Sequence, residues 1–143
     1  MHYRLLPPTH RPLAEKFYRN QRSTMRTKGA AQVWVAQADE IIAALCLHNV
    51  AHGLWLTSLL VAPTWRAQGI ASRLLTQALA DRQMPVWLFC HPDLQPFYAR
   101  LGFIHEPALP AALQQRLSRY QASKPLLAMT RHPTCEPLPG PPA

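Results

Sequence analysis

The apolar segment Leu54-Trp55-Leu56-Thr57-Ser58-Leu59-Leu60-Val61-Ala62 reads as a buried strand. Eight residues later the period changes. Ile70, Leu74, Leu75, Ala78 and Leu79 recur at helical spacing and predict a helix to about Arg82 with these five on its buried face. Upstream, Tyr3 to Leu6 predicts a short strand stopped by Pro7-Pro8. Thr9 is a candidate cap for a helix through about Asn20, with Pro12 tolerated near its start and Leu13 and Phe17 on one face. Gln21 to Ala30 is polar and basic, readable as a second short helix or as a loop. Gln32–Ala36 and Ile41–His48 predict a hairpin about Gln37 to Glu40, and a turn near Asn49 to Gly53 leads into the apolar strand. Downstream come a buried strand at Val86–Cys90, a short helix about Phe97-Tyr98, a strand from Phe103, a helix at 111–120 and a last strand at 125–131. From Pro133 the chain is proline-dense, so the expected organisation is one domain, 1–132, and a disordered tail, 133–143.

The junction between the apolar strand and the helix carries the first candidate chemistry. It reads Arg66-Ala67-Gln68-Gly69-Ile70-Ala71. The first N–H groups of a helix have no intrahelical partner, and the helix dipole adds positive potential where they point. Gly69 keeps a side chain off those amides and Ala71 stays small, while Arg66 adds a cation at the rim. Such a junction is a socket for phosphate or pyrophosphate. It is neither G-x-x-x-x-G-K-[ST] nor G-x-G-x-x-G, both absent from the chain.

A second motif follows at Gln95-Pro96-Phe97-Tyr98-Ala99-Arg100-Leu101-Gly102-Phe103-Ile104. Gly102 stands where a helix closing on a left-handed residue favours glycine. Phe97, Leu101 and Phe103 also fit the core face of an amphipathic helix, a reading that leaves Tyr98 unexplained. Together, Arg66-x-x-Gly69-x-Ala71 and Phe97-Tyr98-x-x-x-Gly102-Phe103 resemble the two signatures of the GNAT N-acetyltransferase superfamily, in the same order. The resemblance covers roughly residues 1–132. It implies an α/β (α+β) GNAT fold with a mixed central sheet of six to seven strands and four to five flanking helices, the helix at 111–120 being an elaboration. It also implies acetyl transfer from acetyl-CoA, a co-substrate, to a primary amine by direct attack on the thioester, with no metal.

The same resemblance distributes roles. Pyrophosphate would be held by the main chain of Ala67, Gln68, Gly69, Ile70 and Ala71, with Arg66 and the Ser72 hydroxyl in support; Ser72 reads equally as ordinary helix-start chemistry. Leu59, Leu60 and Val61 would offer their main chain to the pantetheine arm. Tyr98 would be the acid that protonates the departing thiolate, a phenol near pKa 10 serving a thiol near 8.5. The base is open. Family members often carry a glutamate on the central strand, but here that strand holds Trp55, Thr57 and Ser58 and no carboxylate. His91, His48, His52, Glu106 and a water chain are the candidates. A GNAT domain that binds acetyl-CoA yet only senses it, or regulates a partner protein, is therefore the alternative reading.

Composition adds partners and place. In 143 residues, 15 Lys+Arg stand against 7 Asp+Glu, a formal charge of +8, which favours anionic partners. The basic residues are dispersed without interleaved aromatics, which disfavours nucleic acid, and a polyphosphorylated coenzyme accounts for part of the charge. Lys16, Arg19, Arg22 and Arg26 would share one face of a continued helix, either solvated or receiving an acceptor with a carboxylate or phosphate. The expected acceptor is a small-molecule or peptide amine entering between the first helical region and the hairpins, with a homodimer allowed. No apolar run of membrane-spanning length, no signal-peptide core at Met1 to Leu5 and three scattered cysteines (Cys46, Cys90, Cys135) make the cytoplasm the expected compartment.

Overall fold

The computed structural model describes residues 1–106 and 108–133. The expected tail beyond Pro133, with Cys135, lies outside the described residues. Seven strands form one mixed sheet: β1 (His2–Leu5), β2 (Gln32–Gln37), β3 (Ile41–Val50), β4 (Gly53–Val61), β5 (Val86–Cys90), β6 (Ile104–His105) and β7 (Leu127–Arg131). Their order is β1-β2-β3-β4-β5-β7-β6. Every adjacent pair is antiparallel except β4 and β5. Four α-helices flank the sheet: α1 (Arg11–Asn20), α2 (Ile70–Leu79), α3 (Gln95–Ala99) and α4 (Ala111–Gln121).

The helical period of the sequence is realised in α2, where Ile70, Leu74, Leu75, Ala78 and Leu79 are all buried. Each fully buried leucine contributes about 1.5–3 kcal/mol relative to exposure. The helix stops at Leu79 rather than Arg82, and the Arg82 guanidinium Nε–H bonds back to the Ala78 carbonyl at 3.0 Å. Gly102 takes the left-handed conformation at φ 93°, and its N–H bonds the Ala99 carbonyl at 3.1 Å. The Phe103 N–H then reaches Tyr98 O at 3.2 Å, completing a Schellman closure that delivers Phe103 to the core.

The first helix differs from expectation. A short 3₁₀ turn at Pro8–His10 precedes α1, and no side chain caps either, so Thr9 is not a cap. Nor does α1 continue: Arg22 turns left-handed at φ 55°, and residues 21–31 form a loop. The basic face of Lys16, Arg19, Arg22 and Arg26 therefore does not exist as one helix face. The loop is tied to α1 by two side chains one turn apart. Arg11 Nη1 donates to Ala30 O at 2.7 Å, and the Glu15 carboxylate accepts from the Thr27 N–H at 2.7 Å and from the Thr27 hydroxyl. Burial pulls the Glu15 pKa upward, but the Thr27 bonds, aided by Arg26 and Arg19, leave it below the usual carboxylate value.

Glu15→Ala would strand the buried Thr27 donors at an expected cost of about 1–3 kcal/mol, read as a lower urea midpoint. Because the Glu15 pKa is lowered on folding, its contribution is complete above the unfolded carboxylate range and is lost as pH falls through the folded value. The gap between wild type and Glu15→Ala should therefore narrow in acid.

Candidate functional site

The central feature is where β4 parts from β5. Their parallel ladder pairs only Leu54 with Val86 and Trp55 with Trp87. Beyond it, β5 continues on β7 through Cys90↔Leu127, whereas β4 continues on β3 through Ala43↔Val61. The β5-facing main chain of β4 from Leu56 onward has no strand partner, and backbone polar groups left so exposed call for a ligand or water. On the other side β4 carries a bulge: Thr57 pairs with Cys46 and Leu60 with Ala44, so Ser58 and Leu59 stand against Leu45 alone. Ser58 is left-handed at φ 59°.

The bulge is propped from α1. Tyr18 is wholly buried, donates its hydroxyl to Ser58 O at 2.7 Å and lies 3.8 Å from Cys46 Sγ. Burial, then the neighbouring Cys46, raises the Tyr18 pKa far above the ordinary phenol value, so this proton stays in place as a structural donor. Burial likewise pushes the Cys46 thiol up to about 11, which makes it an inert core group.

At the far end of β4 the chain makes a 3₁₀ turn at Pro63–Trp65 and enters α2 through Ala67 at φ 62° and Gly69 at φ 75°. No side chain caps the helix. The first intrahelical bond is Arg73 N–H to Gly69 O at 3.1 Å, so the N–H groups of Ile70, Ala71 and Ser72 have no helical acceptor. A Cβ on Gly69 would meet only the Arg73 guanidinium carbon, at 3.9 Å, so the space before these amides is open. A cleft of about 280 Å³ lies there, bounded by Val61, Trp65, Arg66, Ala71, Ser72 and Phe97. Arg66 folds back, its Nε–H donating to Val61 O at 3.1 Å.

The Phe97-Tyr98 pair divides differently from its sequence reading. Phe97 is half-buried and borders the loop cleft, whereas Tyr98 is 7% exposed and turned inward. The Tyr98 ring meets Phe97 and Phe103 edge-on at 5.0 and 5.7 Å between centroids. Burial, with Cys90 next, pushes its pKa up to about 12.

A larger cleft of about 670 Å³ opens beside the bulge. Its polar lining includes Thr57, Ser58 and His48, and its aromatic lining Trp55, Phe89 and Tyr120. His48 Nε2 is 2.8 Å from Thr57 Oγ1, and its ring lies 5.4 Å from that of Trp55. Burial chiefly, with Arg116 and Arg11 adding repulsion, lowers the His48 pKa below the usual imidazole value despite an opposing contribution from the Gly29 backbone. The other candidate bases are elsewhere. His52 and Glu106 border a separate cleft where Glu106 Oε2 meets His132 Nε2 at 2.6 Å. His91 is exposed and accepts the Asp93 N–H at 3.1 Å. Lys16 borders another recess altogether. Reasoning on the sequence missed Tyr18, Phe89, Arg116, Tyr120 and Lys124; the acid-free, cation-bearing stretch 111–124 was the one available signal.

The acetyltransferase (GNAT) domain family model matches residues 29–105, just over half of the chain. The chain belongs to the GNAT acetyltransferase family. Solved structures share the fold of this GNAT domain at low identity. Escherichia coli ElaA aligns at TM-score 0.67 and 15% identity, over 92% of this chain and 100% of that one. A Mycobacterium tuberculosis protein, Rv2747, solved with CoA, aligns at 0.68 and 17%, over 92% and 99%. The Neisseria gonorrhoeae N-acetylglutamate synthase, complexed with coenzyme A and N-acetylglutamate, aligns at 0.70 and 13%, over 92% of this chain and 35% of the synthase. No curated protein sequence matches this chain. Among the described residues, no cluster of three or more His, Cys, Asp or Glu is placed to hold a metal ion, and no helix is long and apolar enough to cross a membrane.

Tyr18→Phe would remove the donor from the part-buried Ser58 carbonyl. The expected loss is about 0.5–1.5 kcal/mol, read as a lower urea midpoint.

Proposed function

We propose that residues 1–132 form an acetyl-CoA-dependent N-acetyltransferase domain that acetylates a primary amine held in the 670 Å³ cleft. One observation carries the reading: the unpaired edge of β4 runs from that cleft to the open amides at the head of α2. The residues fit the coenzyme. Ala67 to Ala71 offer main-chain N–H groups to a pyrophosphate, with Ser72 and Arg66 at the rim, and the stretch Leu59, Leu60 and Val61 offers the side of β4 that has no β5 partner to an extended amide-bearing arm. Two relatives solved with coenzyme A support the same choice. When bound, acetyl-CoA supplies the activated acyl group.

The chain supplies the proton handling. An alkylamine near pKa 10 must lose a proton before it attacks. His48 is the one candidate base that borders the amine cleft, and its lowered pKa keeps it neutral near pH 7. As the neutral amine attacks, the nitrogen proton made acidic by the forming C–N bond passes to His48 Nε2 directly or through the Thr57 hydroxyl, 2.8 Å away. Tyr98 is the donor for the sulfur, with a modified role. At a pKa of about 12 it holds its proton more tightly than a free phenol. Full transfer to a thiolate near 8.5 would be uphill by about 3.5 pK units, about 5 kcal/mol. Tyr98 therefore stabilises developing charge as a hydrogen-bond donor rather than by complete transfer.

Gly69→Glu would put a strained residue and a negative charge at the phosphate socket. CoA affinity measured by calorimetry should fall at least about tenfold with the fold intact; unchanged affinity would remove the coenzyme from this loop. The pH dependence follows from neutral His48 being the competent form. Wild-type kcat/KM should fall with decreasing pH through a pKa below the usual 6.5 of histidine, with no alkaline loss from Tyr98 below about pH 12. His48→Ala should abolish that acidic limb and cost about 10²–10³-fold, whereas Tyr98→Phe should cost about 10–10²-fold at every pH. Tight CoA binding without turnover on any amine would favour the sensor reading instead.

A further inference from the structure

The larger cleft is unusual in its charge. Arg26 reaches it from the loop after α1, Arg116 from α4 and Lys124 from just beyond α4, while none of its lining residues is Asp or Glu. All three cations are exposed. Among the described residues the only ion pairs join His91 to Asp93 and His132 to Glu106, so none of the three is neutralised by a carboxylate contact. The Arg26 charge helps the Thr27 bonds to lower the Glu15 pKa, but Glu15 makes no ion pair with Arg26 and its Oε1 is engaged by both donors of Thr27. Arg116 has its guanidinium carbon 5.1 Å from the Trp55 ring centroid. That stacking holds it against the aromatic wall, where Trp55 meets Phe89 at 5.6 Å and Phe89 meets Tyr120 at 6.1 Å.

Three cations around a concave site repel an incoming ammonium unless the same molecule brings compensating negative charge. A polyamine or a basic peptide would meet like charge on several sides. A guanidinium fork, by contrast, matches a carboxylate or phosphate with two parallel hydrogen bonds. Trp55 is common to two polar groups of the lining: the His48 ring, bonded to Thr57, lies 5.4 Å from it, and the Arg116 guanidinium carbon of α4 lies 5.1 Å from it.

We propose that the acceptor is an amine that also bears a carboxylate or phosphate, bound with its amine toward Thr57 and His48, its apolar body on Trp55 and Phe89, and its anion at Arg116 and Lys124, with Arg26 adding positive potential to the cleft. This selection rests on the acetyl-transfer reading above. It gives α4, an addition to the family pattern expected from the sequence, a role as the anion-binding wall of the acceptor site.

The test uses the whole protein with acetyl-CoA and matched acceptors: phenethylamine against phenylalanine, ethanolamine against phosphoethanolamine and β-alanine, and spermidine as the polycation. Thiol release gives kcat/KM, and calorimetric titration of the same amines into CoA-saturated protein gives affinity. Anionic members should exceed their neutral partners at least about tenfold, with spermidine poorest; the carboxylate and phosphate arms identify which anion fits. Arg116→Gln and, independently of the Trp55 stacking, Lys124→Gln should each shrink that ratio about tenfold, chiefly through KM. Turnover of neutral amines or spermidine as good as that of anionic ones would overturn the proposal and leave the acetyltransferase reading standing. Absence of any turnover would count against that reading, and the affinities would still decide: preference for the anionic members supports the anion wall, equal binding refutes it.

Discussion

The structure turns on the separation of β4 from β5. A parallel sheet whose strands stay paired has no room for a ligand between them; here the ladder ends after Trp55↔Trp87. What holds β4 off is its bulge against β3, and what holds the bulge is the buried Tyr18 hydroxyl on Ser58 O at 2.7 Å. A left-handed non-glycine residue such as Ser58 costs of order 1 kcal/mol, and a neutral hydrogen bond from the buried Tyr18 is of the size needed to offset it. The unpaired edge of β4 that results links the α2 amides to the acceptor cleft, so one distortion positions both halves of the site.

Helix α1 serves that arrangement in two directions. Its buried face sends Tyr18 to the bulge, and Arg11 and Glu15 fasten the loop that brings Arg26 to the cleft. The loop stays a loop because its polar groups are satisfied by α1 rather than by a helix of their own. This is also why the basic residues at 16, 19, 22 and 26 separate: Lys16 remains on α1 at a different recess, and Arg26 swings to the acceptor side. The candidate base is selected in the same way. His48 and His52 are four residues apart, yet only the one paired opposite Trp55 within the β3–β4 ladder borders the acceptor cleft.

Much of the fold was legible because its signals are local. The helical period of Ile70, Leu74, Leu75, Ala78 and Leu79 is a property of consecutive residues, and those five are buried together. Gly102 announced its left-handed closure for the same reason, and the Val86–Cys90 strand lies where its uninterrupted apolar run placed it. Thr9 was misleading because it lies inside the 3₁₀ turn Pro8–His10, which leaves His10 rather than Thr9 at the cap position of α1. Of the adjacent pair, Tyr98 is the more deeply buried and Phe97 only half-buried, since helical spacing cannot say which of two neighbouring aromatics the fold will cover.

The division between sequence and tertiary structure falls between the two substrates. The proposed coenzyme side was legible in the sequence: a strand, a loop with Gly69 and a helix start are contiguous, and the amides at a helix N-terminus exist wherever such a helix forms. The proposed acceptor side was decided only by folding. Arg26, His48, Trp55, Phe89 and Arg116 sit on five separate segments, and no local rule brings them to one cleft. Sheet order and the bulge do so, because they fix which edges of distant elements face the gap that β4 leaves.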